Sequence, residues 1–292
     1  MKFFKLFLIQ AFFCINLFSN FLDQKLPEIT LLSKQAYEDL PTREYEDIVL
    51  NAQKFGDIRF SISYPKNITN NESILLLLDG LETGRDSLKY VPHPDNYIMI
   101  GYEYTKDMHR LRKKSVFFHL PSTRKAVLDV PFQILGIVDW IKKQSWGKKN
   151  VVIIGVSFGA IFVPATYHLA EINNIKLSSG IIAFGGAGLY DIYYANLRSY
   201  NEILRKPLAY LASLVFKPID PKYHLPYIHG KFLVINGTQD KNIPLKSARL
   251  LQELTPEPKT IINLDTPHLD PNRKDIINEI VEISLKWLEK FS

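Results

Sequence analysis

Three stretches of the sequence hold residues whose types and order suit acyl transfer. Gly155-Val156-Ser157-Phe158-Gly159 follows the apolar run from Val151 to Ile154 and leads into a stretch of helical character from Ala160 to Asn173. A sharp strand-to-helix turn of this kind holds its serine in a strained backbone conformation, and only small flanking residues let strand and helix approach closely enough. The turn lifts the hydroxyl clear of the sheet and places the Phe158 amide, at the helix N-terminus, to stabilise an oxyanion. Serine is a weak nucleophile, so the chemistry also needs a histidine base and a carboxylate that fixes the histidine tautomer and stabilises its cation. Both lie downstream. Asp240 sits within Asn236 to Pro244, after the run Lys231 to Ile235, and His268 sits within Asp265 to Asp270, after the run Thr260 to Leu264.

Residues so far apart in the chain converge only if a sheet carries them. The sequence alternates short apolar runs with helical stretches, the pattern of a mostly parallel sheet with crossover helices. Strands are predicted over Ile58 to Tyr64, Ile74 to Leu78, Tyr97 to Gly101, Val151 to Ile154, Gly180 to Phe184, Lys231 to Ile235 and Thr260 to Leu264. Solid runs such as Ile74 to Leu78 and Val151 to Ile154 predict strands buried on both faces. Helices are predicted over Val130 to Lys143, Ala160 to Asn173, Ser247 to Leu254 and Asp275 to Phe291; in the last, Ile276, Ile277, Ile280, Val281, Trp287, Leu288 and Phe291 make one apolar stripe. Ser157, Asp240 and His268 each fall at the C-terminal end of a strand, the edge where open parallel sheets assemble their sites. The segment 185–230, rich in tyrosine and leucine, is the least regular; a lid and ordinary helices packed over the sheet edge are equally good readings of it.

From about Ile74 to its C-terminus the chain resembles the α/β-hydrolase superfamily, and most closely its bacterial esterase-like members. The Gly155–Gly159 turn, the Asp240 loop and the His268 loop carry the resemblance, together with the chain order Ser, Asp, His. The resemblance implies an α/β-hydrolase fold with a mostly parallel central sheet flanked by helices. It makes Ser157 the nucleophile, Asp240 the acid and His268 the base. Asp265 and Asp270 are too close to His268 in sequence to reach its far ring nitrogen. His93, His109 and His119 precede the nucleophile, His168 lies on the helix behind it, and His224 and His229 precede their nearest strand. The loop Asp79 to Gly84 resembles the family's His-Gly loop, which implies the Leu81 amide as second oxyanion donor. Asp79 replaces the usual histidine, and a carboxylate there is electrostatically awkward unless it points away.

These expectations describe a serine hydrolase that cleaves a carboxylic ester through an acyl-enzyme, with no cofactor and no metal, since no close histidine spacing or phosphate cradle occurs. Peptide cleavage or acyl transfer would use the same residues. A catalytically silent binding protein of this fold is the reading from another class, prompted by Asp79 and the aromatic segment. The expected partner is a small-molecule or lipid-like acyl compound, because ligand sites are mostly apolar with few polar anchors. Nucleic acid is not expected: the formal charge is only +6 and the basic residues, densest at Arg110 to Lys114, lack aromatic interleaving. Residues 1–19, with Lys2 and Lys5 before an apolar run from Leu6 to Phe18, have the layout of a signal peptide or retained N-terminal anchor, so export to the periplasm or beyond is expected, with membrane contact only through that segment. The only cysteine, Cys14, lies inside it. With 46% hydrophobic residues in 292, the remainder, 20–292, suffices for one domain with one substantial core.

Overall fold

The solid apolar runs become neighbouring strands of one sheet. The computed structural model describes residues 21–39, 42–69, 71–94, 96–112, 118–177 and 179–290. The expected leader, the end of the last helix at Phe291 and the basic pair Lys113 and Lys114 lie outside these residues. Among the described residues the strands are β1 (Thr30–Asp39), β2 (Arg43–Asn51), β3 (Asp57–Pro65), β4 (Ser73–Leu78), β5 (Tyr97–Glu103), β6 (Val151–Val156), β7 (Ser179–Ala183), β8 (Lys231–Gly237) and β9 (Lys259–Leu264). They form a nine-stranded sheet in the order β1-β2-β3-β5-β4-β6-β7-β8-β9. The first three strands pair antiparallel and β3 pairs antiparallel with β5. From β5 onward every pairing is parallel.

Side chains alternate across a strand, so a strand that is apolar throughout feeds two cores. In β4, Ile74, Leu76 and Leu78 face a core built with α1 (Leu120–Lys142) and α2 (Phe162–Ile172). Leu75 and Leu77 face the other core, which α6 (Lys274–Glu289) closes with Ile276, Ile280, Trp287 and Leu288. The expected stripe on the last helix is the face that packs, and Trp287 also donates its indole N–H to Thr260 Oγ1 at 3.0 Å. Burying a side chain of this size contributes about 2–3 kcal/mol.

The segment 185–230 forms α3 (Leu189–Asn196), α4 (Glu202–Val215) and three short 3-10 turns, and α5 (Leu245–Leu254) follows β8. It is tied down at both ends. The buried Asp220 carboxylate accepts from the Gly188 and Leu189 amides at 2.9 and 3.0 Å, satisfying the start of α3. Arg124 of α1 donates to the Val215 carbonyl at 3.0 Å, and Asn196 donates to the Asn242 carbonyl at 2.8 Å.

Three elements differ from the sequence expectation. β1 and β2 were not predicted, and β1 shows why: residues 30–37 are all exposed, so this edge strand has no buried face to impose an alternating pattern. The first helix starts ten residues before Val130. Pro131 reads in sequence as a helix-starting proline, whereas the chain carries it inside α1 and begins the helix with Pro121 in its first turn. No helix among the described residues is long and apolar enough to cross a membrane.

Candidate active site

Ser157 leaves β6 with φ +54°, a left-handed backbone conformation that costs a non-glycine residue about 1–3 kcal/mol. The surroundings hold it there. Its amide donates to the Ala183 carbonyl of β7 at 2.9 Å, and its carbonyl accepts from Ala160 at 3.2 Å. Both flanking glycines are packing requirements. A Cβ on Gly155 would come within 2.4 Å of Val163 Cγ2, and one on Gly159 within 1.9 Å of the Leu78 carbonyl oxygen. The turn therefore abuts the end of β4, and Gly159–Ile161 forms a 3-10 turn leading into α2.

The structure brings Ser157, His268 and Asp240 into one hydrogen-bonded line at the C-terminal edge of the parallel strands. Ser157 Oγ lies 2.7 Å from His268 Nε2, and His268 Nδ1 lies 2.6 Å from Asp240 Oδ2. A carboxylate only accepts, so the proton sits on Nδ1 and Nε2 is left to accept from the serine hydroxyl. The Asp240 side chain is 2% exposed and His268 18% exposed. The second oxygen, Asp240 Oδ1, accepts from the Asn242 and Ile243 amides at 2.7 and 2.9 Å.

Further contacts that sequence alone does not reveal register the two loops. Gly237 packs so closely on the histidine loop that a Cβ would lie 2.4 Å from the Thr266 carbonyl oxygen. The Thr238 and Gln239 amides donate to the Leu264 and Thr266 carbonyls at 2.8 and 3.1 Å. Asp265 is occupied by the Thr238 hydroxyl at 2.9 Å and the Gln239 amide group at 2.8 Å. Asp270 accepts from Asn272. Phe184, directly after β7, has φ +52° and stands edge-on to the His268 ring at 5.8 Å. Nothing in its sequence neighbourhood signals that role, because the adjacent Gly185 is where a positive φ would be looked for. Three of the other histidines are bound elsewhere: His224 to the Pro218 carbonyl at 2.8 Å and to His168, and His93 to Ser63 and Tyr45.

The Asp79 to Gly84 loop leaves β4 beside this turn. Leu81 is buried, and the Gly80 carbonyl accepts from the Thr83 and Gly84 amides at 3.1 and 3.0 Å. Among the described residues neither the Leu81 amide nor the Phe158 amide donates to a backbone carbonyl. Burial pushes the Asp79 carboxyl up to about 6, while hydrogen bonds from the Gly80 amide and the Thr83 hydroxyl pull it back down. Two clefts, of about 360 and 570 Å³, lie away from Ser157: one in the 185–230 segment, lined by Tyr190, Tyr210 and Tyr223, and one around His229 and Pro258. Among the described residues no three His, Cys, Asp or Glu side chains group to hold a metal ion.

No protein-family model matches the sequence, and a comparison with curated proteins finds no match. Solved structures do resemble the chain. Acetyl xylan esterase 1 from Thermoanaerobacterium sp. superposes with a TM-score of 0.65 at 13% identity, covering 94% of this chain and 93% of the esterase. An esterase from Pyrococcus furiosus gives 0.56 at 14% identity, over 88% of this chain and 98% of its own. The peroxisomal alpha-beta-hydrolase of Saccharomyces cerevisiae gives 0.51 at 10% identity, over 92% and 91%.

Proposed function

We propose that this chain, whose architecture is the α/β-hydrolase fold its motifs led us to expect, is a serine hydrolase that cleaves a carboxylic ester. The observation that carries the reading is the line Ser157, His268, Asp240, with two hydrogen bonds under 2.8 Å and the serine in a left-handed turn. Likeness to esterase structures supports the reaction class.

In this reading His268 Nε2 takes the Ser157 proton as Oγ bonds to the ester carbonyl carbon, and the carbonyl π pair moves onto oxygen. The Phe158 and Leu81 amides donate to that oxyanion, and a single such donor is worth about 10²–10³ in rate. Asp240 keeps the imidazole in the right tautomer and stabilises the imidazolium. Collapse breaks the bond to the alkoxy oxygen, which leaves as the alcohol with the proton from His268. Water, deprotonated by His268, then attacks the acyl-enzyme and releases the acid. No cofactor enters any step. Burial disfavours the Asp79 charge and pushes its carboxyl up to about 6, which lessens its opposition to an oxyanion at mildly acidic pH.

The test uses a fluorophosphonate probe and p-nitrophenyl esters of rising acyl length on wild type and Ser157→Ala. Wild type is expected to label and to hydrolyse, and Ser157→Ala to do neither, with a fall in kcat of about 10⁶. Folded wild-type protein that neither labels nor hydrolyses sinks the proposal and leaves a binding protein of this fold.

A further inference from the structure

We infer that Tyr104 is a positioning residue that holds the oxyanion-stabilising amides in place, an inference that rests on reading Ser157 as a nucleophile. Tyr104 is the first residue after β5 and is buried. Its hydroxyl donates to the Asp79 carbonyl at 2.8 Å, on the loop that carries the Leu81 amide. Its ring stands edge-on to Phe158, the residue whose amide is the other donor, at 5.4 Å between centroids. One side chain therefore touches both loops.

The ring itself has little freedom. It meets Tyr102 edge-on at 5.2 Å and Phe162 of α2 at 6.2 Å, and Tyr102 in turn donates to Gln133 of α1. The loop geometry then transmits the constraint. In a trans peptide the C=O and N–H point in opposite directions, so anchoring a carbonyl aims the following amide. Tyr104 anchors the Asp79 carbonyl, which turns the Gly80 amide away from the Tyr104 hydroxyl. The Thr83 and Gly84 amides anchor the Gly80 carbonyl, which turns the Leu81 N–H away from them. Without the Tyr104 hydroxyl, the Asp79 carbonyl loses a buried partner and the 79–81 peptides are free to rotate toward another donor. The backbone end of β4 also abuts Gly159, so a shift of this loop is felt at the serine turn.

The experiment compares wild type, Tyr104→Phe and Phe158→Leu in ester turnover, in thermal melting, and in affinity for an alkyl boronic acid. The boronate adds Ser157 Oγ to boron and presents a tetrahedral oxygen where the oxyanion forms, so its affinity reports donor alignment. Since a lost donor costs about 10²–10³, a misaligned one is expected to lower kcat by about 10- to 100-fold in Tyr104→Phe with KM within about twofold. Boronate affinity is expected to fall by the same factor as kcat. Phe158→Leu keeps the hydroxyl bond and loses the ring contact, so a smaller parallel loss is expected. It also serves as the test should Tyr104→Phe fail to fold. If the variants melt earlier yet keep kcat and boronate affinity, Tyr104 is structural only and the inference is overturned. If wild type neither labels with fluorophosphonate nor hydrolyses esters, the reading of Ser157 fails and this inference falls with it.

Discussion

With Oδ2 against the His268 ring and Oδ1 against the Asn242 and Ile243 amides, the Asp240 carboxylate is fixed on both sides. That arrangement makes one substitution diagnostic. In Asp240→Asn the side-chain oxygen is claimed by the two amides, so the NH₂ group faces His268 Nδ1 and asks it to accept. The imidazole proton then moves to Nε2, which can no longer take the serine proton. A loss in kcat of about 10⁴ is expected with the fold intact by circular dichroism. A loss under tenfold would mean that Asp240 does not set the tautomer. Asp265, three residues before His268, is instead held by Thr238 and Gln239, so Asp265→Asn is expected to leave the imidazole tautomer unchanged.

At the scale of elements, the serine turn works because β6 and α2 meet with no side chain between them. Gly159 packs on backbone, where no rotamer change can make room for a methyl group. Gly159→Ala should therefore cost about 3 kcal/mol or more, at the upper end of overpacking penalties, read as a shift in urea midpoint. Gly80→Ala is the control. A Cβ there meets only Thr83 Oγ1, at 3.5 Å, and Gly80 has no positive φ, so its midpoint should stay near that of wild type. Equal midpoints for Gly159→Ala and wild type would show that the turn is looser than the contacts imply. The acid and histidine loops show the same logic at Gly237, where one loop sits on the backbone of the other.

For the whole molecule, the sheet buries both faces, and an ionisable group at its C-terminal edge alters the pH dependence of stability. Asp79 titrates near 6 in the fold, against 3.8 in the free side chain, because burial disfavours its charge. Between those values the native state binds more protons than the unfolded chain, so stability falls as pH rises through that window. Asp79→Asn removes the penalty. It should melt with wild type at pH 4 and melt several degrees higher at pH 7.5, a gain on the order of 1–3 kcal/mol. The same melting difference at both pH values would show that the Asp79 carboxyl is not desolvated in the fold.

The central part of the architecture was legible from residue order, since parallel strands buried on both faces must be apolar throughout and Ile74 to Leu78, Val151 to Ile154 and Phe232 to Ile235 are. The serine turn was legible too, because backbone contact at Gly155 and Gly159 leaves only glycine as a solution. The hairpin strands β1 and β2 were not: β1 is an exposed edge strand made by its partner's hydrogen bonds and needs no apolar pattern, while β2 buries alternate residues such as Ile48 and Leu50 beside the charged Glu44, Glu46 and Asp47. Nor were the long start of α1 through Pro131, the edge contact of Phe184 on His268, or the link from Tyr104 to Asp79 and Phe158. These depend on which residues meet across the fold. Residue order alone sets which residue types stand at the ends of which strands. The tertiary structure decided that Ser157, His268 and Asp240 meet within hydrogen-bonding distance, and that Asp265 and Asp270 do other work, because only pairing β6, β7, β8 and β9 side by side brings their ends together.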